Sequence, residues 1–304
     1  MIEKTAKKQE NYYRPLYFYE SARAGFKDIL SFLCDDRTTL LLPAYIGFSP
    51  KEGSGIYDPV VHSGIKHIFY PMDKALHIDV KAFSDILSSV QGKAAVLLVH
   101  YFGYPDINYD TIVTLSHSLG ATVIEDAAHA LFTDFVDHRC GQRGDYVIYS
   151  LHKMLPFENG GMTRVNSPKC TFVPKLSIET DKSPFLYDLS EIAAKRKKNA
   201  KLWDRMLKGI DSIKILRPYS EDVTPQTFPI IICGHDRNDL YFRLNGEGFG
   251  AVSLYHTMID PIKNGGYTDS FWLSQHIINM PVHQDADEND IREMAAALLR
   301  LVNE

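Results

Sequence analysis

The sequence predicts an α/β fold in which a mostly parallel sheet lies between helices. Several short runs have the length and the β-branched, apolar content of buried parallel strands, and segments with helical spacing stand between them. The chain has 304 residues, and about 100–200 residues form a typical domain. The length therefore predicts one large domain and one smaller domain.

The predicted elements of the large domain alternate along the chain. The apolar runs predict strands over residues 39–42, 94–100, 122–125 and 146–150, and helical spacing predicts helices over 22–33 and 109–119. Gly120 stands at the position where glycine commonly ends a helix. Strand, helix and strand at this spacing indicate helices packed over a parallel sheet.

The pattern changes after Gly161. Residues 162–186 read as an irregular crossing, and a long helix then follows with Lys195 to Lys198 on its solvated side. The apolar face of that helix is marked by Ile192, Trp203, Met206, Leu207 and Ile210. Residues 226–256 and a final helix over 290–302 indicate a smaller α/β C-terminal domain. We therefore place the domains at residues 1–185 and 186–304.

Composition and charge exclude several classes of protein. The net charge of -5 argues against nucleic-acid binding. No CxxC or CxxH pair occurs among Cys34, Cys140, Cys170 and Cys233, which argues against a structural zinc site and a disulfide framework, and no metal site is expected. The first 23 residues have no apolar signal region, and no run approaches the roughly 20 apolar residues of a membrane span. A cytoplasmic protein is expected.

Two charged residues follow predicted strands. Asp126 and Lys153 are 27 positions apart, and ligands in such sheets settle at the carboxyl ends of the strands. Pyridoxal 5′-phosphate (PLP) requires a lysine amine and a carboxylate against its pyridinium nitrogen. The pair therefore predicts a PLP site, whereas a strand-end cap and a surface lysine are the structural alternatives.

A phosphate group requires hydroxyl and backbone donors, ideally where a helix begins. Ser150 precedes Lys153 by three residues, and Ser21, Ala22 and Arg23 open a predicted helix. These residues are the candidates for holding the phosphate.

The same motifs carry a family resemblance. In order along the chain they are ESARAGF, LLPAYIGFSP, VLLVHYFGYPDI, VIEDAAHAL, GDYVIYSLHK and ENGGM. Their order resembles that of the DegT/DnrJ/EryC1/StrS family, which consists of fold-type I PLP enzymes and mostly of sugar aminotransferases. The resemblance covers residues 14–165 well and is fainter towards the C-terminus.

The resemblance implies a role for individual positions. Lys153 matches the lysine that holds PLP through a Schiff base, and Asp126 matches the acid on the pyridine nitrogen. His129 falls where the family has a Gln or His near the ring hydroxyl. Ser150 and the turn of Ser21, Ala22 and Arg23 match phosphate contacts. Gly47 occupies the position of the usual ring-stacking aromatic, so Tyr45 or Phe48 is expected to replace it.

Other side chains keep two interpretations each. His100 follows a predicted strand and either faces the cofactor or is a hydrogen-bonded structural residue. Tyr255 and His256 either reach the substrate entrance or are structural, and the structural interpretation is preferred. His152 is expected to point away from the ring, because neighbours on a strand face opposite sides.

The chain also departs from the family. An Asn-Tyr-Arg-Met stretch that reaches the partner's phosphate in family homodimers has no counterpart in residues 162–190. Its absence implies either weaker PLP binding or a phosphate site completed by Arg23, Lys182 or another group. The resemblance implies a homodimeric aminotransferase that moves an amino group, with glutamate as the expected donor, to a keto sugar, expected to be nucleotide-linked, in glycan or polysaccharide synthesis. The alternatives are a PLP-fold regulatory or binding protein without transaminase activity, and another PLP reaction such as sugar dehydration or decarboxylation.

Overall fold

A computed structural model describes residues 14–168 and 171–304, and a seven-stranded sheet organises the first half of this part. The spatial order of its strands is β1-β7-β6-β5-β4-β2-β3. The strands are β1 (Leu16–Tyr19), β2 (Thr38–Pro43), β3 (Lys66–Tyr70), β4 (Lys93–Val99), β5 (Thr122–Asp126), β6 (Tyr146–Ser150) and β7 (Gly161–Val165). From β3 to β6 neighbouring strands pair in parallel, and β7 pairs antiparallel with both β6 and β1.

Helices cover this sheet and connect its strands. They are α1 (Ala22–Leu33), α2 (Tyr57–Ser63), α3 (Val80–Ser89), α4 (Tyr109–Ser118) and α5 (Leu131–Phe135). Helix α1 buries Phe26, Ile29 and Leu30, the face that its apolar spacing predicts. The mostly parallel sheet between helices confirms the predicted α/β class.

A second, three-stranded antiparallel sheet follows along the chain in the order β10-β9-β8. Its strands are β8 (Ile213–Ile215), β9 (Thr227–Ile232) and β10 (Ile277–Pro281), and the helices around it are α6 (Leu189–Leu207), α7 (Arg237–Gly246), α8 (Asp260–Asn264), α9 (Thr268–His276) and α10 (Glu288–Leu301). Trp203, Phe228 and Leu298 lie in the core beneath this sheet. Ile231 and Leu273 belong instead to the core of the large sheet, so the two parts pack together. The domain boundary at residue 185 stays a prediction.

The predicted strands 39–42, 94–100, 122–125 and 146–150 correspond to β2, β4, β5 and β6. Strand β7 was not predicted, because residues after Gly161 read as irregular. Its sequence, GMTRV, lacks the continuous apolar run that predicts a buried strand, because the buried Arg164 interrupts it. Arg164 is tolerated there because it pairs with the buried Asp134, its Nη2 lying 2.7 Å from Oδ2.

The basic run on α6 is not a solvated face throughout. Arg196 is 1% exposed, and its guanidinium donates to Gln284 Oε1 at 2.9 Å and to the Gln226 carbonyl at 3.2 Å. It also lies over the Phe132 ring, 5.6 Å from the centroid. Lys195 and Lys198 are exposed as predicted. Successive helix residues point about 100° apart, so a four-residue run must visit both faces.

The expectations about membrane spans and cysteines can be compared with the described residues only. Within residues 14–168 and 171–304, no helix is both long enough and apolar enough to cross a bilayer. Cys34, Cys140 and Cys233 are free thiols. Cys170 and the first 13 residues lie outside the described residues.

Candidate active site

A cavity of about 560 Å³ opens at the carboxyl ends of β4, β5 and β6. Side chains at these ends converge because parallel strands finish at the same edge of a sheet. The predicted residues that line the cavity are Ser21, Ala22, Arg23, Asp126, His129, Ser150 and Lys153. The structure therefore brings all but one of the predicted site residues to one place, and Tyr45 is the exception.

Lys153 lies in the turn that follows β6. Its Nζ is 2.8 Å from Nε2 of His129. Burial lowers the pKa of the Lys153 amine, while the negative charges of Asp126 and Glu52 oppose that shift. A lysine whose pKa is lowered by burial is poised to act as a nucleophile or a base.

His129 is held by the turn that follows β4. The backbone N–H of Phe102 donates to Nδ1 of His129 at 3.3 Å. Phe102 reaches this position with a φ of 59°, in the left-handed region that non-glycine residues seldom occupy. Because Nδ1 accepts from Phe102, neutral His129 carries its proton on Nε2, which can donate to the Lys153 amine only in its unprotonated form. Burial, together with the Lys153 charge, lowers the pKa of His129 well below its usual value and keeps the ring neutral.

Asp126 ends strand β5 and faces the cavity. Burial raises the pKa of its carboxyl, against a backbone hydrogen bond from Ala128 N to Oδ1 at 2.9 Å and the nearby charges of Lys153 and His100. A partly buried carboxylate in this position presents negative charge to whatever enters the cavity.

The beginning of α1 forms the opposite wall. Ser21 caps the helix, its hydroxyl accepting from Ala24 N at 3.2 Å, so the first backbone N–H groups of α1 stand at the cavity. Gly161 allows this approach, since a Cβ there would lie 2.2 Å from the Ser21 carbonyl carbon and 2.3 Å from Ala22 N. With the buried hydroxyl of Ser150 beside it, the helix start is suited to a phosphate.

The two residues suggested as replacements for the missing family segment have separate positions. Arg23 lines the cavity, and its guanidinium donates to the Glu52 carbonyl at 2.8 Å, tying α1 to the loop over 49–56. Lys182 does not line the cavity, and its Nζ donates to Asn159 Oδ1. Arg23 is therefore the better placed of the two.

Tyr45 is fully buried and lies behind the cavity wall. Its ring stacks on Tyr255 with centroids 5.1 Å apart and meets Tyr101 edge-on at 5.4 Å. The expectation that Tyr45 covers the cofactor ring therefore has no support in its position, because neighbouring aromatics separate it from the cavity. Phe48, the other residue expected to do so, lines the cavity and is 42% exposed.

His100 is a hydrogen-bonded structural residue, the second of the two interpretations that the sequence allows. It is 1% exposed, and its Nε2 lies 2.7 Å from Oε2 of Glu125. The Glu125 carboxylate also accepts from the Tyr109 hydroxyl at 2.9 Å and from the backbone N–H of Gly144 at 2.6 Å. Burial raises the pKa of Glu125, but His100 and the backbone donors lower it by more, so Glu125 is a satisfied carboxylate.

Three titratable residues that line the cavity were not predicted as site residues. His152 was expected to point away, but β6 ends at Ser150, so strand alternation does not reach His152 and its side chain lines the cavity. Glu52 comes from the loop after β2, where the sequence carries no chemical motif. Tyr255 comes from the C-terminal part, where the structural interpretation was preferred, and its ring lines the cavity.

The residues present fit PLP. The start of α1 and Ser150 are placed to hold the phosphate, and Gly161 leaves room for the Ser21–Ala22 backbone at the start of α1. Asp126 offers a carboxylate, and Lys153 offers an amine whose pKa is lowered. These are the three kinds of group that the cofactor requires.

Comparisons with known sequences agree with this fit. Residues 55–172 match the sequence model of the DegT/DnrJ/EryC1/StrS aminotransferase family. The spore coat polysaccharide biosynthesis protein SpsC of Bacillus subtilis is 32% identical over 118 residues, which cover 38% of this chain and 29% of SpsC. The uncharacterized protein MJ1066 of Methanocaldococcus jannaschii is 20% identical over 296 residues, covering 81% of this chain and 76% of that protein.

Solved structures agree on the fold. Helicobacter pylori PseC, an aminotransferase involved in the biosynthesis of pseudoaminic acid, superposes with a TM-score of 0.73 and 16% identity, covering 94% of this chain and 86% of PseC. At this identity the likeness shows the fold alone, and that fold is the predicted fold-type I arrangement.

Proposed function

We propose that the chain is a PLP-dependent aminotransferase that transfers an amino group to a keto sugar, in line with the match of residues 55–172 to the DegT/DnrJ/EryC1/StrS aminotransferase family. The observation that carries the proposal is the convergence of Lys153, Asp126 and His129 on one cavity. Three polar groups with shifted pKa values, placed together at strand ends, are typical of an active site.

Each side chain has a part in the chemistry. Lys153 is the amine that holds the cofactor, and once released its Nζ moves the proton at the substrate carbon as a general base. Its lowered pKa increases the unprotonated fraction that this role requires. PLP, when bound, supplies an electron sink for the negative charge that develops at that carbon.

The remaining side chains orient the cofactor. Asp126 would hold the proton on the pyridine nitrogen, and the hydrogen bond from Ala128 N favours the charged form of its carboxyl. His129 donates from Nε2 towards the ring hydroxyl, a tautomer that the Phe102 backbone N–H supports. Ser150 and the turn of Ser21, Ala22 and Arg23 would hold the phosphate.

The substrate class is a proposal drawn from relatives. SpsC is named for polysaccharide biosynthesis, and PseC acts in the biosynthesis of pseudoaminic acid. We propose a keto sugar, carried on a nucleotide, as the acceptor, glutamate as the amino donor, and a homodimer as the working state.

Two alternative functions have their own support. The absent family segment in residues 162–190 favours a PLP-fold protein that binds the cofactor without transamination. The retained Lys153 is compatible with another PLP reaction, such as sugar dehydration or decarboxylation. Both predict PLP binding without net amino transfer, which separates them from the leading proposal.

The test begins with the cofactor. Purified protein mixed with PLP is expected to develop a visible absorbance band of the lysine-bound cofactor, and Lys153→Ala is expected to abolish it. Lys81→Ala is the matched control, because Lys81 is 87% exposed on α3 and pairs only with Asp85 among the ion pairs of the described residues. Absence of the band at saturating PLP would contradict the proposal.

The second stage separates the reaction types. Glutamate added to the PLP form is expected to convert the visible band to that of the amine form, and keto sugars linked to different nucleotides are then screened for reversal of the change. A band that no amino donor converts supports the binding protein. Release of water or carbon dioxide without amino transfer supports the other PLP reactions.

A further inference from the structure

A flat heteroaromatic ring is best held when an aromatic side chain covers one of its faces. Among the residues that line the cavity, the aromatic rings other than histidines are Phe26, Phe48 and Tyr255. The cofactor ring must also lie within reach of Asp126 and His129, the polar groups that are proposed to hold it. The position of each aromatic relative to these two groups therefore decides which one can cover the cofactor.

Tyr255 lies beside both groups. Its ring centroid is 6.1 Å from that of His129, with the planes 72° apart. Tyr255 and Asp126 line the same cavity, and burial together with the negative charge of Asp126 raises the pKa of the Tyr255 phenol. Phe48 has no ring contact with His129 among the described residues, and it is 42% exposed.

Gly47 provides the space that the Tyr255 ring occupies. A Cβ at Gly47 would lie 3.1 Å from Cδ1 of Tyr255 and 3.6 Å from its Cα. The backbone of Gly47 has no positive φ, so conformation does not require glycine there. A larger side chain at this position would have to share the volume with Tyr255. Gly47 also bridges to Met258, which fixes the two segments against each other.

Tyr255 is held firmly where it stands. Its φ of 59° is in the left-handed region, a strained position for an aromatic residue. Three rings surround its own: Tyr45 stacks at 5.1 Å, Tyr101 meets it edge-on at 5.3 Å, and Phe102 does so at 5.6 Å. Strain that the surrounding packing maintains is typical of functional positions.

We propose that Tyr255, from the C-terminal part of the chain, supplies the aromatic surface that covers the cofactor ring. The absence of a side chain at Gly47 leaves room for the Tyr255 ring. The proposal rests on PLP being the cofactor. It moves the ring-covering role from the loop after β2 to a segment that follows α7. Cofactor affinity then depends on how the two parts of the chain pack together.

The test is the dissociation constant of PLP, measured by absorbance titration of the cofactor-free protein. Tyr255→Leu is expected to raise Kd about three- to tenfold, as for the loss of one aromatic pair. Tyr255→Phe keeps the ring and is expected to remain within about twofold of the wild type. Phe242→Leu is the control, since Phe242 is an aromatic of the C-terminal part that is 69% exposed.

A swap of the aromatic between positions distinguishes ring covering from general packing. The double variant Gly47→Phe with Tyr255→Ala moves the aromatic to the loop after β2 and is expected to recover affinity lost in Tyr255→Ala. Thermal unfolding without PLP, measured for each variant, reports stability separately. A merely structural Tyr255 would lower the unfolding temperature without this recovery.

The outcomes separate the two proposals. Wild-type protein that binds PLP while Tyr255→Leu binds it equally well overturns the role of Tyr255 and leaves the cofactor in place. A larger effect from Phe48→Leu than from Tyr255→Leu overturns it in favour of Phe48. Wild-type protein that fails to bind PLP overturns the proposed function itself, and the ring-covering role with it.

Discussion

Two acids follow one another at the end of β5, and their surroundings differ. Glu125 is completely buried and accepts hydrogen bonds from His100, Tyr109 and backbone N–H groups. Asp126 faces the cavity, where Ala128 N donates to it and Lys153 lies nearby. The pKa of Glu125 is lowered and that of Asp126 is raised.

The difference shows how a buried ionisable group reveals its role. The Glu125 cluster (Glu125, His100 and Tyr109) satisfies its charge with donors and so stabilises the fold. In the cavity cluster (Asp126, His129 and Lys153) burial outweighs any opposing charges and hydrogen bonds, so each pKa shifts in the direction that burial sets. Groups held in an environment that disfavours their charged form are available for chemistry, at a cost in stability.

The largest expected effect comes from breaking the Glu125 cluster. Glu125→Ala leaves His100, Tyr109 and two glycine N–H groups without their acceptor, and we expect the free energy of unfolding to fall by about 3–5 kcal/mol. Urea denaturation measures it. Asp85→Ala, which removes an exposed partner of Lys81, is the control and should change the midpoint little. A loss below about 1 kcal/mol for Glu125→Ala would mean that the cluster does not stabilise the fold.

An effect of opposite sign is expected in the cavity cluster. Burial penalises the charged form of Lys153 in the folded protein, so the penalty is fully present below the folded pKa and is relieved as pH rises towards the unfolded value of about 10.4. Cofactor-free Lys153→Met is therefore expected to be more stable than the wild type at neutral pH. Urea denaturation between neutral pH and about pH 10 checks whether the difference shrinks. A difference independent of pH would contradict the assigned cause.

The smallest effect concerns one neutral hydrogen bond. His129→Leu removes the donor towards Lys153 and the cofactor, and we expect the Kd for PLP to rise about tenfold or less. His129→Gln keeps an N–H donor and should recover most of the affinity, as an absorbance titration can measure. Equal affinity for the Leu and Gln variants would show that His129 acts by packing alone.

The residues that could be predicted from the sequence are those with a local signal. Asp126, Ser150 and Lys153 end or follow apolar strands, and Ser21 precedes an amphipathic helix, so their neighbours in the sequence define their positions. Tyr255 carries no such signal, because contacts with distant residues bring its loop to the cavity.

The failures have the same origin. Arg196 stands in a run of basic residues but is buried, because it donates a hydrogen bond to Gln284 and lies over the ring of Phe132, both distant in the sequence. Tyr45 has the right type of side chain in the right segment, yet the rings of Tyr101 and Tyr255 place it behind the cavity. A periodicity in the sequence contains no information about such tertiary partners.

The pairing of Ser21 with Gly160 has a consequence for how the protein assembles during synthesis. Strand β1 pairs with β7, so the start of α1 reaches its place only after the ribosome has produced residues 161–165. Contacts of such high sequence separation form late, because the loop they close must first lose its entropy. We therefore expect the start of α1 to reach the cavity late in folding, after residues 161–165 have been synthesised.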